Sequence, residues 1–320
     1  MGVTCIALYF ALAKLLRPSR PEPTLPTLAD LEAVRKVIEN SAETYANLAL
    51  SGDKTLLFSE NKQAFMMYAV QGRTWVSLSD PIGPKADAVE LMWRFRELCD
   101  QHDGRPVFYD VKRKYLPYYL DLGLTLLKTG EEARISLKHF SIEGGTHKKL
   151  RYFHNRLEKE GCQFELTERE HTPFLLPELK HVSDAWLTKK RAKEKRFSLG
   201  FFDSHYLQHF PTAVVRRNGK IIAFANVFLG AGKEEISIDL MRYLPKAPQA
   251  AMEYLFVELI LWSKREGYQW FNLGVAPLSG LEDRTLTSAW NRFGAFLFQY
   301  GKRFYNFQGL CQYKEKFAPA

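Results

Sequence analysis

Two short stretches of this chain set charged side chains inside apolar, aromatic sequence: Asp239-Leu-Met-Arg-Tyr243 and Tyr313-Lys-Glu-Lys-Phe317. A charge in such surroundings is costly unless it is paired or serves a site. Asp239 lies in the strand-like run Ile236-Ser-Ile-Asp-Leu-Met241, whose alternation predicts Ile236, Ile238 and Leu240 on one face and Ser237, Asp239 and Met241 on the other. Arg242 follows three residues after Asp239. At a strand end the two form either an ordinary ion pair or, in a cleft, a carboxylate that orients an amine beside a planar fork that grips a phosphate or carbonyl oxygen. In the second stretch the same alternation sends Lys314 and Lys316 to one face and Tyr313, Glu315 and Phe317 to the other. Facing a groove, the two ammonium groups would neutralise a polyanion; otherwise the segment is a solvated tail.

A third charged run, Thr146-His-Lys-Lys-Leu-Arg-Tyr-Phe-His-Asn-Arg156, predicts a basic helix. Lys148, Arg151 and Asn155 stand three and four apart and share one side, with Arg156 beside them. Such a stripe is either a solvated face or a phosphate clamp. Metal and nucleophile signatures are weak: His205 and His209 are four apart but lack the Glu of a zinc-protease motif, and the cysteines form no C-x-x-C pair. No G-x-S-x-G elbow, phosphate-binding P-loop or dinucleotide fingerprint occurs. No metal and no cofactor are expected.

The elements that must position these residues read as α+β. A capping-box-like Thr27 and Asp30 with apolar residues at helical spacing predict a helix over residues 28–50. Strands at 54–59, 64–71 and 74–79 follow, then a helix over 86–102, a strand at 107–111, a helix near 115–122 and a strand near 134–137. The second half repeats that order: a helix over 175–190, strands at 213–217, 221–229 and 235–241, a helix over 249–266, a strand at 270–273 and a helix over 288–300. Helix, antiparallel meander, helix, strand, helix in each half predicts two copies of one architecture.

With 320 residues, 46% of them hydrophobic, the chain has room for two domains and a substantial core. Its net charge of +9 favours phosphate-bearing partners such as RNA or anionic lipid. The four scattered cysteines fit a reducing compartment. Residues 1–26 join an apolar run, Val3 to Leu16, to a proline-rich linker. The run is shorter than the roughly 20 residues that span a bilayer. It reads as a signal peptide, as the end of a longer membrane helix, or as a helix packed on the folded part. Lys14 near its end and Arg17 and Arg20 after it favour the second reading, with the remainder on the cytoplasmic side.

Taken together, Lys54-Thr-Leu-Leu-Phe58, Trp75-Val-Ser-Leu-Ser-Asp-Pro-Ile-Gly83, the 147–156 run, Asp239-Leu-Met-Arg242, Phe271-Asn-Leu-Gly274 and Tyr313-Lys-Glu-Lys-Phe317 resemble the catalytic region of aminoacyl-phosphatidylglycerol synthases, the multiple-peptide-resistance lysyl- and alanyltransferases. The resemblance runs from about residue 28 to 318 and rests on several separated motifs in order. It implies tandem acetyltransferase-like (GNAT) folds, each a mostly antiparallel sheet with flanking helices. The expected organisation is 27–145 as the first such domain, 146–161 as a connecting basic helix, and 162–320 as the second domain with the catalytic residues.

The resemblance also implies transfer of an aminoacyl group, lysyl favoured over alanyl, from aminoacyl-tRNA to phosphatidylglycerol at the anionic cytoplasmic face of a bacterial membrane, with resistance to cationic peptides as the consequence. By the same resemblance Asp239, Arg242 and Lys314 are catalytic, and Lys148, Arg151, Asn155, Arg156 and Lys316 bind substrate phosphates. No Q/R-x-x-G-x-G/A turn precedes the helices that begin near Pro84 and Gln249, which disfavours acetyl-CoA as donor. Two other readings stand beside this one: a peptidoglycan-type aminoacyltransferase that uses a peptide amine, and a non-catalytic module that binds RNA or anionic membrane. A lysine side chain would need a further acid, with Glu234, Glu235, Glu253, Glu258 and Asp283 as candidates.

Overall fold

The computed structural model describes residues 24–281 and 307–319, so the apolar N-terminal run, the helix expected over 288–300 and Asp283 lie outside the described residues. Two compact units are present, the first comprising the described residues up to Val37 together with Gly52–Thr125, the second Ile38–Ser51 and the chain from Leu126 onward. No helix among the described residues is long and apolar enough to cross a membrane.

In the first unit, helix α1 (Leu28–Ile38) opens on the predicted cap: Thr27 N–H and Oγ1 donate to Asp30 Oδ2 at 2.9 and 2.7 Å, and Asp30 N–H donates back to Thr27 Oγ1 at 3.2 Å. The helix does not continue to residue 50. It stops at Ile38, and Thr44–Ser51 form a 3-10 helix within the second unit. Tertiary contacts override helical spacing there: the Ser41 carbonyl accepts from Ala231 N–H, and Thr44 Oγ1 donates to the buried Glu235 at 2.7 Å. Strands β1 (Thr55–Phe58), β2 (Phe65–Gln71) and β3 (Thr74–Ile82) form an antiparallel meander, and helix α2 (Lys85–Gln101) crosses to β4 (Arg105–Tyr109), which pairs parallel to β3. The short helix α3 (Leu116–Asp121) completes the unit and places Tyr119, whose hydroxyl donates to the fully buried Asp80 at 2.7 Å. Gly83 has φ +133°, and a Cβ there would lie 2.5 Å from that of Ala64, so the bend that ends β3 needs glycine for both conformation and space.

The second unit is built on six strands: β5 (Gly130–Ser136), β6 (Cys162–Thr167), β7 (Thr212–Arg217), β8 (Lys220–Leu229), β9 (Glu235–Tyr243) and β10 (Trp270–Pro277), in the sheet order β5-β10-β9-β8-β7-β6. Every neighbouring pair is antiparallel except β9 with β10. Helices α4 (Lys148–Lys159), α5 (Thr172–Lys190), α6 (Ser204–Leu207), α7 (Ala251–Arg265) and α8 (Phe307–Glu315) flank the sheet. Central strand β8 is buried from Ile221 through Phe228, as its near-continuous apolar run requires. Against it α7 buries Leu255, Leu259 and Ile260 completely, each contributing about 1.5–3 kcal/mol of transfer free energy.

Both units therefore carry the repeated motif read from the sequence, an antiparallel meander followed by a helical crossover to a parallel strand. The mixed architecture, with mainly antiparallel sheets and flanking helices, is the one the acetyltransferase-like expectation describes. The break between units falls at Thr125/Leu126 rather than at 145/146, because β5 hydrogen-bonds to β10 in the second sheet. Helix α4 is likewise part of the second unit rather than a connector, with Leu150 and Leu157 in its core.

Candidate functional site

Strand β9 is paired along its length to β8 but meets β10 only where Glu235–Ser237 face Trp270–Asn272. The half of β9 that carries Asp239 and Arg242 thus has no recorded strand partner on its β10 side among the described residues. Strict alternation puts Asp239 and Arg242, three apart, on opposite faces. A β-bulge changes this. Ile238 pairs with Val227 and Met241 with Ala225, so Asp239 and Leu240 together oppose the single residue Asn226. Asn226 is fully buried, and its Oδ1 accepts from Leu240 N–H at 2.7 Å, satisfying the backbone donor that the bulge releases. The extra residue resets the phase, and both Asp239 and Arg242 engage one segment, residues 186–206.

Asp239 Oδ1 accepts from Gly200 N–H and Oδ2 from the Tyr206 hydroxyl, both at 2.8 Å. These donors stabilise the carboxylate form. A Cβ at Gly200 would lie 1.9 Å from Asp239 Oδ2, so the backbone approach there depends on glycine. Arg242 is 9% exposed, donates from Nη2 to Glu194 Oε2 at 2.9 Å and from Nη1 to the Met241 carbonyl at 3.0 Å, and lies 4.2 Å over the Trp186 ring. Its Nε is buried without a hydrogen-bond partner. Burial draws the guanidinium pKa below its usual value, and the Glu194 charge opposes that shift. A buried guanidinium with an unused donor, beside a carboxylate that is already ordered, is suited to receiving an anionic group.

On β10, Gly274 (φ +78°) sits two residues past the last β9 pairing, as Asp239 does on β9. Its N–H donates to Asn272 Oδ1 at 2.7 Å, and the turn directs two successive carbonyls, of Gly274 and Val275, to Lys314 Nζ, each at 2.8 Å. Lys314 is 7% exposed. The alternation expected for residues 313–317 does not hold, because α8 is a helix that ends at Glu315. Lys316 instead pairs with Glu253 at 2.8 Å and covers the Tyr313 ring, so the two lysines do not share a face. Nor is the segment a solvated tail: Phe317 is completely buried among Phe256 and Tyr313. Burial, reinforced by Glu253, raises the Tyr313 phenol pKa well above its usual value.

The basic stripe on α4 separates into different roles. Lys148 and Asn155 are exposed, whereas Arg151 donates to the Ile142 and Gly144 carbonyls at 2.7 and 2.8 Å and Arg156 pairs with Glu160 at 2.8 Å. Local demands thus take up two of its three cationic groups. No hydrogen bond or ion pair among the described residues joins the stripe to Asp239 or Arg242. The buried His154, next to Asn155 on the same helix, donates from Nε2 to Glu258 Oε1 at 2.5 Å and lies 3.7 Å from Glu158, the described group of His and carboxylates close enough to ligate a cation. The Glu258 hydrogen bond raises the His154 pKa, partly offset by burial, which makes the group an ionic clasp between α4 and α7. Of the acids named for a lysine side chain, Glu235, Glu253 and Glu258 are already paired with Arg134, Lys316 and His154.

Sequence reasoning did not single out Trp186, Glu194, Gly200, Tyr206 or Asn226. The available signals were a lone acid inside a basic run, at Glu194, and a glycine amid aromatics, at Gly200.

Residues 35–320 match the family described as "Phosphatidylglycerol lysyltransferase, C-terminal". A phosphatidylglycerol lysyltransferase from Bacillus subtilis is 36% identical over the whole of this chain, which covers 37% of that protein. The chain thus spans about a third of the length of the curated relatives it matches. Among solved structures, one described as L-PGS from Bacillus licheniformis is 35% identical with a TM-score of 0.79, over 94% of this chain and 91% of that one. A C-terminal domain from Agrobacterium fabrum assigned as a lysylphosphatidylglycerol synthetase is 39% identical with a TM-score of 0.82, over 91% and 89%. The family match over residues 35–320 and these similarities lead to one conclusion: the chain belongs to the phosphatidylglycerol lysyltransferase C-terminal family.

Proposed function

We propose that the chain is the transfer-catalysing region of an aminoacyltransferase that moves a lysyl group from lysyl-tRNA to a glycerol hydroxyl of phosphatidylglycerol at the cytoplasmic face of a bacterial membrane. The observation that carries the reading is the bulge that brings Asp239 and Arg242 under one segment, on the half of β9 that has no β10 partner among the described residues. The names of the relatives supply the substrate class.

The donor ester is already activated, so no covalent enzyme intermediate is required. The glycerol oxygen attacks the ester carbonyl carbon, the bond to the tRNA ribose oxygen breaks, and the glycerol proton ends on that ribose oxygen. Asp239, oriented by hydrogen bonds from Gly200 N–H and the Tyr206 hydroxyl, binds the aminoacyl ammonium or the attacking hydroxyl. Arg242 binds the lipid phosphate or the developing oxyanion, and Lys314 adds positive charge across the strand gap. Lys316, Lys148, Arg151, Asn155 and Arg156 are assigned to phosphates of the tRNA end or headgroup, with Lys148, Asn155 and Lys316 exposed. Each transfer makes an anionic lipid more cationic, which lowers attraction for cationic antimicrobial peptides. Incubation with radiolabelled lysyl-tRNA and phosphatidylglycerol vesicles, followed by lipid extraction, tests the reading. Label should enter the lipid fraction, and a lipid fraction without label sinks it.

A further inference from the structure

Residues 189–196, Lys-Lys-Arg-Ala-Lys-Glu-Lys-Arg, carry six basic side chains and one acid, a net +5 within a chain whose total is +9. More than half of the net charge is therefore concentrated in one strap rather than spread over the surface. The strap begins at the end of α5 and continues as irregular backbone to Gly200, which touches Asp239. All six cations are exposed, and Lys189, Lys190, Arg191 and Lys193 have no acidic partner among the described residues. The single acid, Glu194, turns inward to Arg242, which anchors the strap to the site and removes the one negative charge from its outer face.

Two neighbours bear on what the strap meets. Leu199, between the basic run and Gly200, is 45% exposed. Phe201 is covered, with the Arg196 guanidinium 4.0 Å over its ring and Tyr206 stacked at 6.3 Å. An RNA-binding strap uses open aromatic faces on which bases stack, and Phe201 is not open. An exposed aliphatic side chain beside clustered lysines suits an anionic lipid interface instead.

We propose that residues 189–199 dock this chain onto an anionic bilayer surface and present the Asp239–Arg242 site to headgroups held in that surface. The inference rests on the lipid-acceptor reading above. It assigns membrane contact to this strap rather than to α4, where two of the cationic side chains are taken up locally.

The test measures sedimentation of the full chain with phosphatidylcholine vesicles and with vesicles that also contain phosphatidylglycerol, with no aminoacyl donor present. Binding is thus read independently of transfer. The wild type should prefer the anionic vesicles. Replacing Lys189, Lys190 and Lys193 by Gln should weaken that binding about a hundredfold, from roughly fivefold per charge. Lys138, Lys159 and Lys220, exposed elsewhere on the same unit, form a charge-matched Gln control that should bind as the wild type does. Leu199→Ser should weaken binding several-fold without changing charge. Equal binding by the strap and control variants, or no preference for the anionic vesicles, overturns the proposal. So does unchanged vesicle binding with lost affinity for a tRNA acceptor-stem hairpin in fluorescence anisotropy, which would assign the strap to RNA. Vesicle binding without any transfer would refute the catalytic reading and leave the docking surface standing.

Discussion

Replacing Asn226 by Leu separates the bulge from the residues it positions. Asn226 is fully buried, and its side-chain oxygen is the acceptor for the Leu240 N–H at 2.7 Å. Leucine is close in volume but offers no acceptor, so the principal loss is a buried backbone donor left unsatisfied, about 1–3 kcal/mol. In a unit of this size each kcal/mol lowers Tm by about 2–4 °C. A fall of about 2–12 °C in thermal unfolding is expected. The chain can relieve the penalty by removing the bulge, and the one-residue phase change then sends Asp239 and Arg242 to opposite faces. Transfer should then fall by about 100-fold at temperatures where the variant is fully folded. Transfer from radiolabelled lysyl-tRNA to phosphatidylglycerol, measured well below Tm, reads that loss. A variant with unchanged Tm and undiminished transfer would refute the claim that the bulge assembles the site.

Three further outcomes are expected. In a double-mutant cycle of Glu194→Ala and Arg242→Ala read by denaturant unfolding, a coupling of about 1–3 kcal/mol follows from a pair at 2.9 Å with little solvent exposure, and coupling near zero would mean the contact is incidental. Gly200→Ala should cost about 100-fold in transfer, because its methyl group would displace Asp239 or Tyr206; wild-type kinetics would show that the loop adapts freely. His154 contributes to pH dependence with a defined sign. Its folded pKa lies above the ordinary 6.5, so the Glu258 clasp stabilises fully below pH 6.5 and is lost as pH rises through the folded value. Glu258→Gln should therefore lose more stability relative to wild type at acid than at alkaline pH, and a pH-independent difference would contradict the clasp.

The meander and crossover elements are legible because each is a local pattern: short apolar runs for β7 and β8, alternating apolar residues for β9, a wide apolar face for α7, and a Thr27–Asp30 cap for α1. The halt of α1 at Ile38 was not legible, since it is set by Ala231 and Glu235, nearly two hundred residues away. The charged residues at 239 and 242 could be picked out as costly in apolar sequence. Their common face could not, because alternation alone predicts the reverse and the bulge depends on an Asn on another strand. Lys314 and Lys316 illustrate the converse error. A five-residue alternation fits a strand as well as a helix end, and only the packing of Phe317 and the carbonyls of β10 distinguish them.

The central claim is acceptor identity, and mass analysis of the lipid recovered after reaction addresses it most directly. With lysyl-tRNA and phosphatidylglycerol vesicles, the wild-type chain should yield phosphatidylglycerol heavier by one lysyl residue in an ester that mild base removes, and Asp239→Asn should yield little of it. Unmodified lipid with lysine released to water, or lysine recovered on the amine of an added peptide acceptor instead, would contradict the account.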